Sequence, residues 1–266
     1  MKKILLLAIL VLLITGCQST PSDKTIVVGA SITPHAEILE VIKEDLADKG
    51  YTLDIKEFTD YVIPNTSLED GSLDANYFQH GPYLENFNEE HGTDLVSVTI
   101  IHYEPFAIYS KKHDSLETLS EGAQVLVPND GTNEARALLL LESAGLIKVD
   151  ESAGILATVR DIVENPLNLD IVEIEAAQLA KSLPDVDLAV INGNYALQEG
   201  LNASEDSLLL EDQESFGAKT YGNVLAVRKG DEQSEKTLAL LEALQSEKVV
   251  EFIEETYKGA VVSLLP

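Results

Sequence analysis

Residues 25–58 read TIVVGASITPHAEILEVIKEDLADKGYTLDIKEF. TIVVGAS is a β-rich apolar run. HAEILEVIKEDLADKG sets Ile38, Val41, Ile42 and Leu46 on one helical face and stops at Gly50, and YTLDIKEF alternates as a strand does. Strand, helix and strand in that order predict a βαβ unit in a mostly parallel sheet, so the fold class is α/β.

The same rhythm continues downstream. A short helix near Pro64–Asp70, the strand DANYFQH, a helix from Pro82 toward Gly92 and the strand-rich LVSVTIIHYEPFAIYSKK follow in turn. After Lys112 come AQVLVPND, the helical NEARALLLLESAG, LDIVEIEA, a helix near Ala177–Ser182 and DLAVINGNYA. The strand YGNVLAVRKGD and a helix over Ser234–Tyr257 end the chain. No fixed-period repeat and no low-complexity linker divides it. Two βα runs therefore predict two lobes, 25–110 with 222–266 and 111–221, joined by extended crossings near 103–112 and 219–228.

Upstream stands MKKILLLAILVLLITGC. Its apolar run from Ile4 to Ile14 rises only about 16 Å as a helix, too short for a bilayer core of about 30 Å, which marks residues 1–16 as a removable signal peptide. Cys17 is the only cysteine, so it has no disulfide partner within the chain, and its place after small residues resembles a lipobox. Lipidation at Cys17 would hold the protein on the extracytoplasmic face of the cell membrane, with 17–24 as anchor and tether.

The chain carries 46 acidic and 18 basic residues. Loss of Lys2 and Lys3 with the signal leaves 16 basic residues and a net charge of −30, which argues against nucleic acid as a partner. GxSxG, GxxxxGK[ST] and GxGxxG are all missing, so no enzyme chemistry is indicated. His80, His91, His102 and His113 recur every eleven residues, but Gly81, Pro82, Gly92 and Pro105 exclude one helix aligning them. A metal site built from them in three dimensions stays open as an alternative.

VPNDGTNEARALLLL is more informative. Its turn carries capping residues and leads into a helix with Asn133 and Arg136 in the first turn. An arginine opposes the helix dipole there, whereas a bound carboxylate would suit both the unpaired N–H groups and a guanidinium fork. Pairing of Arg136 with a neighbouring acid is the competing explanation. INGNYA and TYGNV expose Asn194 and Asn223 near the crossings. An amide there can serve either end of a zwitterion or simply a turn beside glycine.

Taken together, VGASITPHAEILEVIK, FTDYVIPNTSLEDGSLDANYFQHGPYL, VPNDGTNEARALLLLESAGLI, INGNYA and YGNVLAVRKGD resemble, in order and spacing, the methionine-binding lipoproteins of the MetQ/NlpA family. The resemblance spans essentially the whole mature chain. It implies a periplasmic-binding-protein fold of two α/β lobes and two crossings around a ligand cleft. It also implies a non-enzymatic, cofactor-free protein that captures methionine, L-methionine first, and delivers it to the permease and ATPase of an ABC transporter. On this sequence it implies Tyr61, Phe78, His80 and Tyr83 around the thioether, Arg136 on the α-carboxylate, and Asn194 and Asn223 on the ammonium and carboxylate. Leu84 and Phe87, spaced like a buried helical face, are expected in the core. The alternatives are D-methionine or a methionine-containing dipeptide in the same fold, or a metal-delivery lipoprotein using His80, His102 and other histidines.

Overall fold

The computed structural model describes residues 24–212 and 220–265. The signal segment 1–16, Cys17 and the tether up to residue 23 lie outside the described residues. The opening βαβ unit forms as expected: β1 (Thr25–Ser31) runs parallel to β2 (Thr52–Phe58), with Thr25 opposite Thr52 and Ser31 opposite Phe58. Its crossover is two helices rather than one, α1 (Glu37–Val41) and α2 (Lys43–Asp48), because Ile42 leaves helical geometry at φ −94°, ψ 2°. Ile38, Ile42 and Leu46 are buried one turn apart, joined by Leu39, while Val41 is only half-buried at the edge of the core. Each such burial contributes about 1.5–3 kcal/mol.

The first sheet has the order Val262–Ser263 (β13), Leu95–Tyr103 (β4), Asn223–Arg228 (β12), Ala75–His80 (β3), β1, β2. β1 and β3 are parallel, whereas β12 is antiparallel to both neighbours. One face is covered by α1, α2 and the C-terminal helices Glu235–Leu244 and Glu247–Tyr257. The other packs Leu68 of α3 (Ile63–Glu69) and Leu84 of α4 (Gly81–His91) against Val224 and Ala226.

The second sheet has the order Leu209–Leu210 (β11), Ala107–Tyr109 (β5), Leu188–Ile191 (β10), Gln124–Pro128 (β6), Asp170–Ile174 (β9). Here β9, β6 and β10 are parallel, β5 is antiparallel to β10, and β11 is antiparallel to β5. α5 (Gly131–Ser143) covers one face, and α6 (Ala176–Ser182) with α7 (Gly193–Gln198) covers the other. A separate ribbon pairs Lys148–Val149 (β7) with Ile162–Glu164 (β8).

The first crossing falls within the expected stretch 103–112 but ends before residue 107. Ala107–Tyr109, inside the segment 25–110, hydrogen-bonds into the second sheet, so the chain passes between sheets at residues 104–106. Pro105 has no N–H for a ladder and interrupts what reads as one continuous strand. Asn223–Arg228, inside the expected second crossing, is an interior strand of the first sheet. Of the described residues, Leu209–Leu210 pairs in the second sheet and Asn223 opens a strand of the first.

Candidate functional site

Both sheets direct the ends of their strands toward one cleft. β3 ends at His80, which caps α4: its Nδ1 accepts the Tyr83 N–H at 3.1 Å. β6 leads to Asp130, which caps α5 by accepting from the Asn133 N–H (3.1 Å) and Nδ2 (2.8 Å). β10 leads to Asn192 and into α7. β12 begins with Asn223, and the first crossing contributes Glu104.

All seven residues named from the sequence, Tyr61, Phe78, His80, Tyr83, Arg136, Asn194 and Asn223, come together along this cleft. Tyr61 lies 5.9 Å from Phe78 and 5.7 Å from Tyr83, ring centre to ring centre, an aromatic wall backed by Phe87. The Tyr61 hydroxyl donates to Asn194 Oδ1 at 2.6 Å, bridging the two halves of the chain. The space left between these side chains is about 20 Å³, room for about one water.

Arg136 is buried, and it does pair with an acid: Nε reaches both carboxylate oxygens of Glu211 at 3.2 Å. Nη2 donates to Glu211 and, at 3.0 Å, to the Glu104 carbonyl. Neither set of bonds uses Nη1. The guanidinium carbon also stands 4.4 Å from the centre of the Tyr221 ring and 4.9 Å from that of Phe106, which favours a cation at this place.

Five further residues line the cleft that the sequence reading had not singled out as binding groups: Gln79, Glu104, Asn133, Asn192 and Gly193. Glu104 is the acid among them. Its Oε1 accepts from His102 Nε2 at 2.8 Å and lies 3.4 Å from His35 Nε2, and its carboxylate also takes a backbone hydrogen bond from Asn194. Burial pushes its pKa up, against the pull of His35 and Arg136. Gly193 permits this approach, since a Cβ there would sit 2.7 Å from Glu104 Oε2 and 2.8 Å from its Cβ. The available signal was a single acid inside the apolar run from Leu95 to Tyr109.

Asn133 Oδ1 collects bonds from Asn192 Nδ2 (2.8 Å) and His80 Nε2 (3.2 Å). Among the described residues, two cleft groups remain buried without a partner, the acceptor Asn192 Oδ1 and the donor Asn194 Nδ2. Such orphaned groups are costly unless something polar meets them.

The four evenly spaced histidines go to four places. His80 is in the cleft, His91 stacks on Phe87 at 4.2 Å, His102 lies behind Glu104, and His113 bonds Asp187. Among the described residues, the group whose donor atoms approach closely enough for a metal is His35, His102 and Glu104. His80, named with His102 in the metal alternative, is not in it: both its nitrogens are engaged, by Tyr83 and Asn133.

Burial, aided by the Arg136 charge, lowers the His80 pKa from 6.5 to about 3. The unfolded chain would take up that proton near 6.5, so His80 contributes stability that is complete above pH 6.5 and is lost as pH falls toward 3. At pH 5 the loss is about 2 kcal/mol. The buried carboxylates Glu104 and Asp130, whose pKa values burial raises, act in the opposite direction. A difference measurement therefore isolates the histidine: His80→Gln should lose less melting temperature between pH 7 and pH 5 than the unaltered protein. Equal losses in both would contradict the neutral, buried state of His80.

Comparison with known proteins gives a consistent result. The profile described as NlpA lipoprotein matches residues 26–265. The methionine-binding lipoprotein MetQ of Bacillus subtilis is 42% identical over 274 residues, covering 98% of this chain and 98% of that protein. The D-methionine-binding lipoprotein MetQ of Escherichia coli is 42% identical over 255 residues, covering 94% and 93%. A nutrient-binding protein from Burkholderia cenocepacia, solved bound to methionine, superposes with a TM-score of 0.86 at 43% identity, covering 90% of this chain and 99% of that one.

Proposed function

Because the chain belongs to the NlpA lipoprotein family, we propose that it is an extracytoplasmic binding protein that captures methionine and delivers it to the permease of an ABC transporter. The observation that carries this reading is the pairing, in one cleft, of an aromatic wall (Tyr61, Phe78, Tyr83) with polar groups suited to a zwitterion. A thioether is polarizable and gains from aromatic edges, while the charged groups of an amino acid need partners once water is excluded. Arg136 Nη1 and Asn194 Nδ2 would serve the carboxylate. Glu104, Asn192 Oδ1 and Asn223 would serve the ammonium, and His80 would complete the side-chain pocket by holding α4 and Asn133 in place.

Methionine has nine heavy atoms, so a Kd near 1 μM requires about −0.9 kcal/mol per atom, within a ceiling of about −1.5. Nearly every atom must then be contacted, which a cleft closing from two sides can provide. We take the lobes as 25–104 with 222–266, and 107–211, the first boundary being moved to follow the pairing of Ala107–Tyr109. Closure of these lobes would also present the permease and its ATPase with a ligand-dependent shape. Anchorage through lipidated Cys17 on the outer face of the cell membrane completes the reading.

A thermal-shift panel tests it. L-methionine at 100 times its Kd should add about 2.7 kcal/mol of stability. D-methionine and methionine-containing dipeptides measure how strictly the cleft reads the zwitterion. A shift with Zn²⁺ and none with any methionine compound would sink the proposal in favour of metal delivery.

A further inference from the structure

Resting on the proposed methionine reading, we infer that Glu211 is a positioning residue that presents the Arg136 guanidinium to the ligand carboxylate. The sequence offers no reason to single it out, since it is one of 46 acids. Its surroundings do. The Glu211 carboxylate accepts from Arg136 Nε and Nη2, from the Tyr103 hydroxyl and from the Phe106 N–H. Its own N–H donates to the Phe106 carbonyl at 2.8 Å. Tyr103 and Phe106 flank the first crossing, and Glu211 begins the second passage between the sheets. One carboxylate thus ties both connections between the sheets to the base of one arginine.

Among the described residues, the geometry sets which edge of the guanidinium Glu211 and Glu104 leave unused. Nε and Nη2 are occupied by Glu211 and the Glu104 carbonyl, and Nη1 takes no part in those bonds. Among the described residues that line the cleft, Arg136 is present and Glu211 is not. Glu211 therefore holds the arginine and does not occupy the place of a ligand carboxylate. A bidentate carboxylate fixes a guanidinium in plane as well as in position, which a single acceptor does not. The side chains are 5% and 13% exposed for Arg136 and Glu211, so the pair is little screened by solvent.

The test is a comparison of two probes by calorimetry, L-methionine and L-methioninamide, which lacks the carboxylate. In Glu211→Gln the bidentate hold is lost. Methionine affinity should fall about tenfold or more, while methioninamide affinity stays within about twofold. In an Arg136→Gln background, Glu211→Gln should have no further effect on either probe, because Glu211 acts only through Arg136. If Glu211→Gln does not fold, Glu211→Asp, shorter by one methylene, is read in the same way. Equal losses for both probes would reduce Glu211 to a structural role, and an undiminished methionine affinity would show that it only masks Arg136; either overturns the proposal. Absence of methionine binding by the unaltered protein would overturn the functional reading itself, and this proposal with it, so the two failures are distinguishable.

Discussion

Arg136→Ala should weaken methionine binding by about 2–5 kcal/mol, the range for truncating one partner of a desolvated, hydrogen-bonded charge pair. Arg136 is buried, flanked by the Tyr221 and Phe106 rings, and held on two of its nitrogens by Glu211 and the Glu104 carbonyl. Removing it deletes the cation offered to a ligand carboxylate. It also strands Glu211, whose side chain is only 13% exposed, so the variant should melt lower as well. Arg136→Lys is the informative control. A lysine keeps the charge but is a point donor, and cannot at once serve Glu211, the Glu104 carbonyl and a ligand. It should recover only part of the affinity. Calorimetry showing unchanged methionine affinity in Arg136→Ala would remove Arg136 from the carboxylate role.

Glu104→Gln should separate affinity from stability. The Glu104 carboxylate is the acid among the residues that line the cleft, and burial raises its pKa above the ordinary value of 4.5. That shift means the folded protein disfavours its charge, so stability falls as pH rises through the raised pKa. Replacing it with a neutral isostere removes this cost, and the melting temperature at pH 7 should hold or rise. Affinity should move the other way. Without its countercharge a buried ammonium loses about 2–5 kcal/mol of binding. Loss of both stability and affinity would indicate that Glu104 is a structural anchor for His102 and Asn194. Retained affinity would assign the ammonium elsewhere, to Asn192 and Asn223.

The aromatic wall was named through the family resemblance, and Arg136 drew attention through its place at the start of a helix. NYFQHGPY places rings and a histidine at a strand-to-helix junction in a chain poor in aromatics, and Arg136 sits at the helix end where the dipole disfavours it. Leu84 and Phe87 kept their helical spacing and are buried as expected. What stayed hidden depends on tertiary approach. Glu104 faces the cleft only because Gly193, 89 residues away, lets α7 pass against it. Glu211 meets Arg136 across 75 residues, and nothing local separates it from the acids around it. The first crossing was placed within the expected stretch 103–112, and only the assignment of Ala107–Tyr109 to the first lobe differs. The break at Ile42 was marked by no Gly or Pro between Glu37 and Asp48.

Recognition of methionine as a zwitterion is tested by isothermal calorimetry with L-methionine on protein freed of co-purified ligand by unfolding and refolding. One site per chain is expected, with a Kd at or below about 1 μM, and binding at least about tenfold weaker for both L-methioninamide and the des-amino acid analogue. No heat of binding with millimolar L-methionine, or equal affinity for all three compounds, would contradict it.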